Sequence, residues 1–163
     1  MNLPFNLPFP LPPLEALMLR SRPDALSALL GAGWRPYATP IGLDAERRRL
    51  LNIDLSEPEA GWLDSSGDLA AVARFEVDRA GEVTLVEITG ASPVPPEDLA
   101  RAWLGEPGEP RVAGGVEARE WVWGPESGAE SRVGSEPVRL WVCAEQAYGG
   151  RLWAVASLVR RAG

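Results

Sequence analysis

The chain has 163 residues, 45% of them apolar, and a formal net charge of −7; it contains sixteen arginines, one cysteine, no lysine and no histidine. This length fits one ordinary domain with a core that needs no metal or disulfide to support it. The missing residue types exclude Ser–His and Cys–His nucleophile pairs, lysine Schiff bases and an ordinary zinc site, and the negative balance opposes a phosphate backbone as partner.

Residues 1–13 read as a separate zone. Five prolines and the tandem Asn2-Leu3-Pro4-Phe5, Asn6-Leu7-Pro8-Phe9 predict an extended, polyproline-like arm preceding one domain over 14–163. Leu3, Phe5, Leu7 and Phe9 are too apolar for a free tail. They are expected in an apolar groove, either of their own domain or of a partner subunit. No basic stretch opens the chain and prolines break its apolar run, unlike a secretory signal. No run of about 18 apolar residues occurs either, so no membrane contact is expected. With a lone cysteine, the expected compartment is the cytoplasm.

A helix is predicted over 23–31. Ser21 is its cap, Pro23 and Asp24 lie in its first turn, Leu26, Leu29 and Leu30 form its apolar stripe, and Gly31 or Gly33 stops it. A shorter helix at 14–20 is expected before it. Residues 48–55 favour a strand by alternation, and 56–68 read as loop. The clearest hairpin follows. Ala71, Ala73, Phe75 and Val77 alternate to one face, with Arg74 and Glu76 on the other. Asp78-Arg79-Ala80-Gly81 turns, and 82–89 returns with a change of phase at Leu85 and Val86 that implies a bulge. Pro95, Pro96, Glu97 and Asp98 open a second helix to about 104, closed by Gly105. Residues 105–116 read as loop. Strands are expected near 117–123 and 137–146. Residues 151–160 fit a strand, or a short helix sharing Leu152, Val155 and Val159 on one face. The resulting fold class is α+β: a single, mostly antiparallel twisted sheet of five to six strands with two or three short helices on one face.

No catalytic residue, metal ligand or cofactor site is assigned. Glu57-Pro58-Glu59 reads as a solvated acidic turn. Asp64-Ser65-Ser66-Gly67-Asp68 has alternating oxygens like a calcium loop but lacks its sixth-position glycine and twelfth-position glutamate. Cys143, in an apolar strand, reads as an inert thiol.

The last three strands carry the most informative pattern. Arg119, Trp121 and Trp123, then Arg139 and Trp141, then Arg151 and Trp153, each put an arginine two residues before a tryptophan. At period two, each pair shares a face. With the aliphatic residues inward, the three pairs are expected on one Trp/Arg face, with a guanidinium stacked on at least one indole. That face is either a second core layer covered by arginine methylenes or a binding surface, since tryptophan and arginine dominate interface hot spots. The expected function is a non-catalytic binding or assembly protein whose partner is another protein or a second copy, as a homodimer. The alternative is a small-molecule-binding domain or small enzyme using carboxylate and arginine chemistry.

The stretch Asp24-Ala25-Leu26-Ser27-Ala28-Leu29-Leu30-Gly31-Ala32-Gly33-Trp34 ends a helix on a glycine–aromatic stop. With the order of a short helix, three strands, a helix and further strands, it resembles type III secretion chaperones and their YbjN-like relatives. The resemblance implies a cytoplasmic, chaperone-like binding role.

Overall fold

A computed structural model describes residues 7, 9–36, 58–91, 94–104, 111–113, 118–123, 138–143 and 152–158. The side chains of residues 104, 111–113, 118, 122, 123 and 143 lie outside the description.

Local chemistry builds the first helix, α1 (Arg22–Gly31). The Ser21 hydroxyl accepts a hydrogen bond from the Asp24 amide at 3.2 Å, satisfying one of the amides that a helix start leaves open. At the other end the Gly33 amide donates to the Leu30 carbonyl at 3.1 Å and the Trp34 amide to the Leu29 carbonyl at 3.0 Å. This is a Schellman stop, and it requires the left-handed φ of 109° that Gly33 adopts. The stop also turns Trp34 into the core, where it is 2% exposed.

The N-terminal segment packs against that tryptophan. Phe9 is buried, its ring 5.7 Å from the Trp34 ring at 75°. The Trp34 indole N–H donates to the Pro10 carbonyl at 2.8 Å, and Trp62 completes an aromatic run at 6.3 Å. The expected helix at 14–20 is one 3-10 turn, Leu14–Ala16. Beyond it Leu19 takes φ 61°, a conformation costing a non-glycine residue about 1–3 kcal/mol. Its amide donates to Val83 at 2.8 Å, and the Val83 amide donates to Arg20 at 2.8 Å, which clips this segment to the sheet.

The described strands form one antiparallel sheet: β1 (Arg35–Pro36), β2 (Ala60–Leu63), β3 (Leu69–Val77), β4 (Val83–Gly90), β5 (Arg111–Ala113), β6 (Ala118–Trp123), β7 (Val138–Cys143) and β8 (Leu152–Leu158). Their order is β1-β2-β3-β4-β8-β7-β6-β5. The sheet therefore joins two meanders along a central seam where β4 pairs with β8. The second helix, α2 (Pro96–Leu104), carries acidic residues in its first turn and Arg101 in its last, matching the helix dipole.

Two turns share one design. In Asp64–Asp68 and Asp78–Glu82 the aspartate carboxylate accepts the amides two and four residues on, at 2.9–3.0 Å. A glycine, Gly67 or Gly81, takes φ 83° in each. Asp64 thus closes a hairpin with the oxygen that a calcium loop would direct at the ion.

The inner face of the sheet holds the core. Ala71, Ala73, Phe75, Val86, Ile88, Leu140, Val142, Ala154 and Ala156 are buried in one cluster with Leu29 of α1 and Leu99 and Trp103 of α2. Both described helices accordingly cover the same face. The bulge anticipated in the returning strand is present. Glu76 pairs with Leu85 and Val77 with Val83, so Thr84 is the additional residue, and Val83 and Val86 can both turn inward.

Three expectations need correction. Residues 60–63, read as loop, form β2. There Gly61 sits where a Cβ would meet the Leu69 Cδ1 at 2.6 Å, so the glycine marks a close approach within a strand. Residues 111–113, also read as loop, form β5, an edge strand too short to show alternation. With two-residue β1, the described strands number eight, above the expected five to six. The strand expected at 48–55 lies outside the described residues. The segment read as strand or helix at 151–160 is strand β8.

Candidate functional site: the outer face of the sheet

With one face under the helices, the opposite face of the central strands is the candidate surface. The registers set its side chains in rows across β3, β4, β8 and β7. One row reads Glu76, Leu85, Ser157, Arg139; the next reads Arg74, Glu87, Val155, Trp141, with Glu120 of β6 beyond; a third contains Val72, Thr89 and Trp153.

Trp141 and Trp153 meet at the middle of this face. Their ring centroids are 4.8 Å apart and their planes 77° apart, an edge-to-face contact worth about 0.5–1.5 kcal/mol beyond burial. Both are half-buried. Glu87 organises the neighbourhood. One carboxylate oxygen accepts from the Trp153 indole at 3.1 Å and the other from Arg74 Nε at 3.1 Å. Arg74 also reaches Glu76 at 3.7 Å, and Arg139 pairs with Glu120 at 3.8 Å. The charges are therefore ion pairs, two of them cross-strand and one within β3, framing two indoles. Beside them is an open depression of about 340 Å³ lined by Glu120, Arg139, Trp141, Trp153, Val155 and Ser157.

We expect Glu87→Ala to lower folding stability by about 1–2 kcal/mol, because it removes two hydrogen bonds at a partly buried carboxylate. Urea titration would measure this, and an unchanged midpoint would show that the carboxylate holds nothing in place.

The three-strand Trp/Arg face is not assembled as expected. Arg139, Trp141 and Trp153 do share the outer face. Arg119 and Trp121 do not: Trp121 pairs with Leu140 and Arg119 with Val142, both core residues, and Trp121 is 1% exposed. Trp123 pairs in register with Val138, and Arg151 lies outside the described residues. The reason is the phase of β6. Either phase alternates at period two, but placing Ala118 and Val122 inward would carry Glu120 inward with them. Burying a carboxylate in the core costs far more than filling that space with an indole. Glu120, between the two candidate faces, was the available signal. Arg74 and Glu76 were legible as outward-facing. Their place beside the tryptophans was not, since nothing local pairs β4 with β8.

In the arm, Phe9 belongs to the chain's own core and Leu7 packs against it; Leu3 and Phe5 lie outside the described residues. Among the described residues no three of His, Cys, Asp and Glu cluster as metal ligands would, and no helix is long and apolar enough to cross a membrane. No family model, curated protein or solved structure matches this chain.

Proposed function

We propose that the chain is a non-catalytic protein-binding module and that the outer face around Trp141 and Trp153 is its contact surface. The observation that carries this reading is two half-exposed tryptophans, edge to face, on the side of the sheet opposite the described helices. Tryptophan in the middle of a patch, framed by charges, is the usual composition of an interface hot spot. The carboxylates here are engaged by arginine and indole donors, which favours binding over acid–base chemistry.

Trp141→Ala is the direct test. The variant should stay folded, losing no more than about 2 kcal/mol in a denaturant titration, while binding weakens by about 1–4 kcal/mol. Binding is read by cross-linked capture from the native host, with Arg79→Ala, on the remote turn, as control. A stability loss of about 3–5 kcal/mol would instead make Trp141 a core residue, and capture indifferent to the substitution would move the surface elsewhere.

The depression lined by Arg139, Ser157 and Glu120 supports a second reading, a small anionic or aromatic ligand stacked on the indoles. A thermal-shift series with such compounds tests it. Its open shape, where small-molecule sites are usually enclosed, ranks it below the protein partner.

A further inference from the structure

The geometry points to a second copy of this chain as the occupant of the outer face, packed sheet against sheet about a two-fold axis along the seam between β4 and β8. This rests on the binding-surface reading above and names its partner.

The support is the order of charges across the sheet. In the row Glu76, Leu85, Ser157, Arg139, the seam falls in the middle. Glu76 and Arg139 are each one and a half strand spacings from it, about 7 Å at about 4.8 Å per strand. They carry opposite charges, and their side chains are 53% and 49% exposed. A two-fold axis lying between two facing sheets and parallel to the strands exchanges left for right. Glu76 then faces the partner's Arg139, and Arg139 faces the partner's Glu76. One interface gains both contacts because an isologous contact is made twice.

The next row repeats the relation. Arg74, Glu87, Val155 and Trp141 straddle the same seam. Under the same rotation Arg74 meets the partner's Trp141, a guanidinium over an indole face. Glu87, already satisfied by Arg74 and Trp153, faces the partner's Val155. In the third row Thr89 and Val72 are already buried within the chain, so the contact with the second copy rests on the first two rows. An axis along the strands keeps the two sheets aligned, the common packing at about −30° and about 10 Å separation. Tryptophan and arginine side chains are long enough to fill that gap. A partner of a single charge sign would instead oppose either Glu76 or Arg139 with its own charge.

Sedimentation velocity on the full chain over a wide concentration range is the test, at an ionic strength near 0.15 M, where the Debye length is about 8 Å. The wild type should show a monomer–dimer equilibrium. Glu76→Arg and Arg139→Glu should each weaken it by about 10-fold to 100-fold, because each sets like charges face to face. The double variant E76R/R139E restores opposite charges across the interface and should return the dimer to within about tenfold of wild type. Denaturant titration of each variant confirms its fold. A wild type that stays monomeric overturns the inference, as does a dimer indifferent to the single reversals or one that the double variant fails to restore. The binding-surface reading is judged separately. If no dimer forms but Trp141→Ala stays folded and loses its captured partner, that reading stands with another occupant. If Trp141→Ala unfolds the chain, Trp141 is a core residue and the hot-spot reading falls, while the dimer is still decided by the wild type and the charge reversals.

Discussion

Trp121→Ala should cost about 3–5 kcal/mol of folding stability, the range for emptying a fully buried aromatic site. Domains of this kind hold about 5–15 kcal/mol in total, so the loss is a large share. For a chain of this length it corresponds to a fall in Tm of roughly 6–20 °C. Trp121 is 1% exposed, sits opposite Leu140, and belongs to the cluster that both helices cover. Neighbouring backbone is held by the ladder on β7, so the cavity cannot close. The contrast with Trp141→Ala makes the measurement specific. Two tryptophans on adjacent strands should differ by at least about 1 kcal/mol because they lie on opposite faces. A cost below about 1 kcal/mol for Trp121→Ala in urea titration would mean that β6 has the other phase.

Removing residues 1–10 should lower Tm by at least about 6 °C, reading about 2–4 °C per kcal/mol for this size. Phe9 alone is a buried aromatic, and its loss carries about 3–5 kcal/mol. The deletion also takes away Leu7, which packs on the core, and the Pro10 carbonyl that accepts the Trp34 indole proton at 2.8 Å. Trp34 would then face water on the side where Phe9 now packs. Differential scanning calorimetry of the truncated chain beside Phe9→Ala separates the contributions, and the point variant should account for most of the shift. A truncated chain melting with the wild type would show that the segment contributes nothing to the core.

The same Phe9 shows how far the residue pattern could be read. A Leu/Phe repeat between prolines marks side chains that must be buried, but the surface receiving them is not encoded nearby. Trp34 receives Phe9 because the Schellman stop at Gly33 turns it there. That stop is itself legible, as are the Ser21 cap and the Asp–Gly turn at 78–81, since each is made by groups within five residues of one another. The Thr84 bulge was legible for a related reason: inserting one residue shifts the alternation of apolar side chains along a single strand.

The candidate site divides along the same line. Arg139 two residues before Trp141 shares its face whatever the rest of the fold does, because a strand alternates. By itself the sequence determined α1 with its cap and stop, the central hairpin, and which residues within a strand share a face, though not which face that is. Only the tertiary structure decided that β4 lies against β8, which brings Glu87 to Trp153 across 66 positions. It also decided that β6 turns Trp121 inward and Glu120 outward. Capping and turn hydrogen bonds are local and need no distant partner. The phase of a strand and the identity of its neighbour are degenerate at period two, and only burial in a common core, where a carboxylate is excluded and an indole is accepted, selects one of them.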